Sequence, residues 1–142
     1  LIDIPILYLS SYIIVNKAEY YRLLNRTNTT GEWEEWILFI LNAIEKTAIR
    51  TIEKISTIRK SLDSTIEKVQ QNAPKIYRKE LVELLFEQPY AKIDFVVNQL
   101  QVERKAASRY LRELERIGVL KSQKIGRETL YINIELVKIL KL

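Results

Sequence analysis

Residues 33–71 read WEEWILFILNAIEKTAIRTIEKISTIRKSLDSTIEKVQQ, and this stretch decides the fold. No proline or glycine interrupts it. Its apolar residues recur at alternating steps of four and three, which places one apolar face along an α-helix and allows packing against a second helix. An unbroken helix would be about 60 Å long, so it would connect two bodies or pair with a partner. The apolar positions are Ile37, Leu41, Ile44, Ala48, Ile55, Ile58, Leu62 and Val69, with Thr51 and Thr65 continuing the stripe.

An alternative is a bundle helix that ends near residues 61–64 and then restarts. At the other end, Thr30 is suited to cap the helix, and the acidic residues that follow would lie beside its positive N-terminus. We expect Trp33 and Trp36 to anchor this first turn against the two preceding helices.

The composition excludes several kinds of site. The chain has no Cys and no His, so it has no disulfide framework and lacks the commonest general base and metal ligand. Its three glycines are scattered, and they cannot form a glycine-rich phosphate loop. We therefore expect no metal site and no catalytic residue in this chain. No apolar run approaches the ~20 residues that span a bilayer, so we expect a cytoplasmic protein without membrane contact.

The charge is distributed unevenly. Residues 1–74 carry 9 basic and 9 acidic side chains, whereas residues 75–142 carry 14 basic and 9 acidic ones. The net charge of +5 therefore lies in the second half. Because Ala73-Pro74 also ends the long helix, we predict two domains, residues 1–72 and 73–142.

The first domain is predicted to be a helical bundle segment. Pro5 suits the first turn of an opening helix. A second helix is expected over residues 18–27, and the Asn, Thr and Gly residues of 25–31 are typical of a loop.

The second domain has the order of elements of a winged helix-turn-helix. Helices are expected over residues 76–87, 92–100 and 104–117, and a turn of three residues, 101–103, separates the last two. Gly118 would end the third helix. Two short strands around a turn at Gly126 would form the wing, and residues 135–142 would form a closing helix. The predicted fold class is thus mainly α, with one small β-hairpin.

In such a fold the third helix enters the major groove of DNA. The face opposite its apolar stripe is cationic and carries one hydroxyl, which suits contacts to phosphates and to base edges. Lys121 would add charge on the wing, whereas Glu103, Glu113 and Glu115 argue against DNA contact. The candidate nucleic-acid-binding residues are Arg104, Lys105, Ser108, Arg109, Arg112, Lys124 and Arg127.

Four segments carry a resemblance to a known family: DIPILYLSSYI (3–13), LLNRTNTTGEWEEWILFIL (23–41), AASRYLRELERIGVL (106–120) and IGRETLYIN (125–133). They resemble the C-terminal part of bacterial Fic-family proteins, including the winged-helix tail of one branch. The resemblance implies a parent enzyme that transfers AMP from ATP to a hydroxyl side chain of a target protein.

The His-containing signature loop of that family is absent, as is its inhibitory helix motif. No catalytic or cofactor-binding residue can therefore be assigned, ATP belongs to the parent enzyme, and we expect this chain alone to be inactive. The resemblance implies that the chain is a C-terminal fragment. Residues 1–60 would support a catalytic core located N-terminal to the fragment.

Two other functions fit the same residues. In the first, the chain is a winged-helix transcription regulator whose N-terminal helices form a homodimer and whose second domain binds duplex DNA. In the second, it is a structural interaction module.

Overall fold

The structure, a computed structural model, describes residues 8–141. Over this range the chain is mainly helical and contains a small antiparallel sheet, which confirms the predicted fold class. The predicted helix start around Pro5 lies outside the described residues. The elements are α1 (Leu9–Val15), α2 (Lys17–Thr30), α3 (Glu34–Asn72), a 3-10 helix (Pro74–Ile76), α4 (Lys79–Glu87), β1 (Tyr90–Ala91), α5 (Ile93–Leu100), α6 (Arg104–Arg116), β2 (Leu120–Ile125), β3 (Glu128–Asn133) and α7 (Ile134–Lys141).

The packing divides the chain into two compact units, and the division falls within α3, between Ile55 and Ser56. This division reflects which residues pack against one another and does not test where one domain ends and the next begins. The predicted domain boundary between residues 72 and 73 therefore stays a prediction.

In the first unit an aromatic cluster joins the three helices. The ring centroids of Tyr20 and Trp36 are 4.9 Å apart, and those of Tyr12 and Phe39 are 5.8 Å apart. The hydroxyl of the buried Tyr12 accepts a hydrogen bond of 3.2 Å from Asn42 Nδ2. The predicted anchoring of Trp36 against a preceding helix is therefore confirmed for α2, whereas the ring contact to α1 is made by Phe39.

The same prediction is wrong for Trp33, whose side chain is 57% exposed. Trp33 precedes the first residue of α3, and its carbonyl oxygen accepts the hydrogen bond from the Ile37 N–H over 2.9 Å. Residues three apart share a face only when both are helical. Trp33 therefore does not share the face that Trp36 buries.

The predicted loop over residues 25–31 is also shorter than expected, because α2 continues to Thr30. The threonine hydroxyls at its end donate back to helix carbonyls, as Thr30 does to Arg26 over 2.9 Å. Gly31, with φ of 73°, then ends the helix in the left-handed region. Thr30 accordingly closes α2 and does not cap α3, a correction of the prediction.

The apolar stripe of α3 behaves differently in the two units. In the first unit it is open, and Ile37, Leu41 and Ile55 are each more than half exposed. In the second unit it is covered, since Val69 is fully buried and Leu62 packs against the same core.

The helix α3 does not break at residues 61–64. Through this segment the Thr65 hydroxyl donates to the Ser61 carbonyl oxygen over 2.7 Å. The helix α3 ends at Asn72, directly before Ala73-Pro74, the dipeptide that was predicted to end it.

The core of the second unit combines residues from every one of its helices up to α6 with the sheet. Its fully buried side chains include Val69, Leu81, Leu85, Val96 and Leu111. The strands are ordered β1-β3-β2, with Ile125 opposite Glu128 at the hairpin end. The predicted turn at Gly126 is confirmed, and its φ of 60° suits the first position of a type II′ hairpin. The sheet edge formed by β1 was not predicted.

Residues 8–141 contain no helix with the length and apolar character required to cross a bilayer.

Candidate nucleic-acid interface

The orientation of α6 follows from its buried face. Ala107, Leu111 and Leu114 are fully buried and are separated by steps of four and three, so the opposite face of the helix is directed outward. The turn before α6 consists of Gln101, Val102 and Glu103, as predicted. Gln101 adopts a left-handed conformation with φ of 51° to make the turn.

The C-terminus of α6 is fixed by Gly118. The Gly118 N–H donates to the Glu115 carbonyl oxygen over 2.9 Å, and the Val119 N–H donates to the Leu114 carbonyl oxygen over 2.9 Å. These two bonds, with a φ of 71° at the glycine, form a Schellman motif. The helix therefore stops at a fixed point and the hairpin follows at once.

The outward face of α6 lines one open depression, which we call the α6 groove. The predicted residues Arg104, Lys105, Ser108, Arg109 and Arg112 all lie in it. Lys124 and Arg127 do not line this groove; they lie exposed on β2 and at the hairpin turn. The groove is completed by Ile93, Glu113 and Arg116.

Several cations of the groove have partners within the protein. Arg104 forms an ion pair with Asp94 of α5, and Arg112 Nη2 donates to the Ser108 Oγ over 2.9 Å. By contrast, no ion pair is formed by Lys105 or Arg109 among the described residues. The Arg109 guanidinium lies 5.6 Å from the centroid of the Tyr110 ring. Lys105 and Arg109 therefore keep their charge available to an anionic partner.

The acidic residues near α6 are held by local contacts. Arg116 donates to Glu113 over 2.6 Å, and this hydrogen bond lowers the pKa of the Glu113 carboxyl. Hydrogen bonds from the side chain and backbone of Ser122 lower the pKa of Glu115. The negative charge of both carboxylates is thus partly offset by hydrogen-bond donors. This weakens the argument that Glu113 and Glu115 would repel an anionic ligand.

The hairpin of β2 and β3, the predicted wing, contributes exposed positive charge. Lys124 and Arg127 have no ion pair within the described part of the chain. Next to the hairpin turn, Lys92 Nζ lies 2.6 Å from Glu128 Oε2, and hydrogen bonding to this carboxylate raises the pKa of Lys92.

Two cations near α6 were missed in the sequence. Arg116 could have been found, because it continues the spacing of Arg109 and Arg112 by steps of three and four. Lys75 lies on the 3-10 helix, far from α6 in sequence, and lines a second depression together with Arg109. No local pattern marks it.

A family model described as "Protein adenylyltransferase SoFic-like, C-terminal domain" matches residues 62–136, which is more than half of the chain. The chain belongs to this SoFic-like family. The match confirms the resemblance to the C-terminal part of Fic-family proteins. It extends from the last turns of α3 into α7, so the α6 groove and the hairpin both lie in the SoFic-like C-terminal domain.

Proposed function

We propose that the parent SoFic-like protein transfers AMP from ATP to a hydroxyl side chain of a target protein in the cytoplasm. In this proposal the present chain supplies scaffold helices and a winged helix-turn-helix module that binds duplex DNA. The family membership supports the first part, and the α6 groove supports the second.

The observation that carries the DNA-binding role is the cationic lining of the α6 groove. Its charged residues follow the exposed face of a helix that comes after a short turn, the position occupied by a recognition helix. Lys105 and Arg109 have charge available for phosphates, and arginine is also suited to guanine edges in the major groove. The wing cations would contact the backbone beside the groove.

Binding would depend strongly on salt, because each phosphate neutralised by the protein releases counterions. The 142-residue chain is titrated with a 20-base-pair duplex at about 50 and 200 mM salt. With four phosphate contacts, the affinity should fall on the order of 100-fold across this range. An affinity that is absent or independent of salt would contradict the proposal.

A double variant assigns the face. Arg104→Ala with Arg109→Ala should weaken binding, while the far-UV circular dichroism stays unchanged because both side chains are exposed. Unchanged DNA affinity in this variant would show that α6 presents a different face to DNA.

The transfer activity is tested on the product of the complete reading frame. We expect that product to transfer label from ATP labelled at the α-phosphate to a protein hydroxyl. The 142-residue chain, which has no histidine, should transfer none. Label transfer by the chain alone would contradict the assignment of the chemistry to the rest of the parent protein.

The open stripe on α3 favours a second candidate, a transcription regulator that dimerises through its first unit. Ile37, Leu41 and Ile55 expose apolar surface at helical spacing, which suits a second copy or the catalytic core of the parent protein. Native mass measurement distinguishes these two possible partners of the exposed α3 stripe. A stable dimer of the chain favours the regulator, whereas a monomer that binds the separately produced core favours the scaffold role.

A further inference from the structure

A second depression adjoins the α6 groove within the second unit, and we call it the Lys75 depression. One side is formed by the end of α3 and the 3-10 helix that follows it, and the other side by α6. Arg109 and Glu113 line both concave surfaces, so the two depressions adjoin at these residues. The remaining lining residues are Asn72, Ala73, Pro74, Lys75 and Ile76.

The walls of this depression are held by packing and by long-range hydrogen bonds. Ala73 and Ile76 are buried in the core of the unit. Arg116 Nη2 donates to the Asn72 carbonyl oxygen over 3.2 Å, which ties the end of α3 to the last turn of α6. Lys68 Nζ makes a second tie to the Gly118 carbonyl oxygen over 3.1 Å. The spacing between the 3-10 helix and α6 is therefore set by the fold.

The charge of the lining favours an anion. Lys75 and Arg109 are the cations of the depression, and within residues 8–141 neither forms an ion pair. Its carboxylate, Glu113, is already engaged by Arg116 over 2.6 Å. The depression therefore contains two cations that are available to an anion, Lys75 and Arg109, and one carboxylate, Glu113, whose charge is compensated by Arg116.

We infer that Lys75 is a further DNA-contacting residue. It binds the phosphate backbone together with Arg109, beside the helix α6 that enters the major groove of the DNA. This inference rests on the proposed function, because it assumes that α6 contacts duplex DNA. The reason is that the two depressions share Arg109, so a DNA strand bound along the α6 groove at Arg109 would lie next to the Lys75 depression. A phosphate contact positions the protein on the duplex and carries no sequence information.

The test compares two single lysine replacements in the 142-residue chain. Lys75→Gln removes the proposed contact, and Lys60→Gln removes an exposed lysine of α3 that lines neither depression. Both variants lower the net charge equally. Fluorescence anisotropy with the same labelled duplex over about 50–200 mM salt gives the slope of log affinity against log salt.

We expect Lys75→Gln to reduce the magnitude of this slope by about 1 and to weaken binding equally for unrelated duplex sequences. Lys60→Gln should leave the slope unchanged, and Lys75→Arg should restore it. If wild type binds with a steep slope but Lys75→Gln behaves like Lys60→Gln, the inference is overturned and the proposed function stands. If wild type does not bind duplex DNA, both fail.

An acidic peptide is the other class of anion that the depression could take. A poly-glutamate peptide is therefore titrated in parallel. Loss of peptide binding in Lys75→Gln, with DNA binding unchanged, would overturn the inference and assign the depression to a protein partner.

Discussion

Glu115 of α6 accepts a hydrogen bond of 2.8 Å from the backbone N–H of Ser122 in β2. This contact joins the helix that lines the α6 groove to the first strand of the hairpin. Because the donor is a backbone group, the contact also fixes the position of the strand backbone relative to the helix. The two elements proposed to touch DNA are thus held together by a hydrogen bond within the second unit.

The Glu115 contact makes a prediction about pH. Its pKa is lowered in the folded chain, so the folded state binds fewer protons than the unfolded state near the ordinary glutamate pKa. The stabilisation is therefore present above the unfolded pKa of about 4.3 and is lost as the pH falls through the folded value. Thermal unfolding of wild type and Glu115→Gln should differ at pH 7, and the difference should shrink towards pH 3. A difference independent of pH would contradict this.

Asn133 gives a prediction about stability. Its buried side chain donates from Nδ2 to the Leu85 carbonyl oxygen over 3.0 Å, and its Oδ1 caps α7 by accepting from the Leu136 N–H over 3.1 Å. Asn133→Ala should lower the free energy of unfolding by about 1–3 kcal/mol, because it removes the cap and leaves a buried carbonyl without its donor. Urea denaturation measures this, with the exposed Asn98→Ala as the control expected to change little.

The turn before α6 gives a prediction of a substitution that raises the free energy of unfolding. Gln101 holds φ of 51°, a conformation that costs a residue with a Cβ on the order of 1 kcal/mol. Gln101→Gly should therefore stabilise the chain by up to about 1 kcal/mol.

The reverse change, which adds a Cβ at a left-handed position, is Gly118→Ala at φ of 71°, and it should destabilise the chain. An added Cβ would meet Lys68 Nζ at 3.7 Å, an ordinary contact, so the expected destabilisation comes from the backbone conformation. Chemical denaturation of both variants checks the pair. A destabilised Gln101→Gly would show that the side chain of Gln101 contributes more than its backbone strain costs.

The ion pair of Arg104 with Asp94 gives a prediction about binding. Asp94→Asn releases the guanidinium for phosphate contact, so DNA affinity at low salt should rise and the salt slope should steepen by up to about 0.9. Glu80→Gln changes the net charge equally at an exposed position on α4 and is the control. Equal effects of the two substitutions would mean that only net charge matters.

The second unit could be predicted from sequence because its signals are local. The turn at residues 101–103, the glycine after α6 and the glycine of the hairpin each impose a backbone conformation at one place. The face of α6 follows from helical periodicity alone. The grouping of its five predicted residues in one groove is a consequence of that periodicity.

The features that were missed depend on contacts distant in sequence. The strand β1 is two residues long and exists through its pairing with Tyr131 and Ile132 of β3. Lys75 reaches the α6 side of the unit only because α3 and α6 are joined at their ends. At the end of α2, threonines bonded back to helix carbonyls overrode the loop composition.

Amide chemical shifts of the 142-residue chain, recorded while a 20-base-pair duplex is added, would show where the nucleic acid lies. The proposed interface predicts the largest changes at Lys75, across residues 104–112 and at the hairpin tip, residues 124–127. Changes confined to other surfaces, or no changes at saturating duplex, would contradict a DNA-binding role for this SoFic-like C-terminal domain.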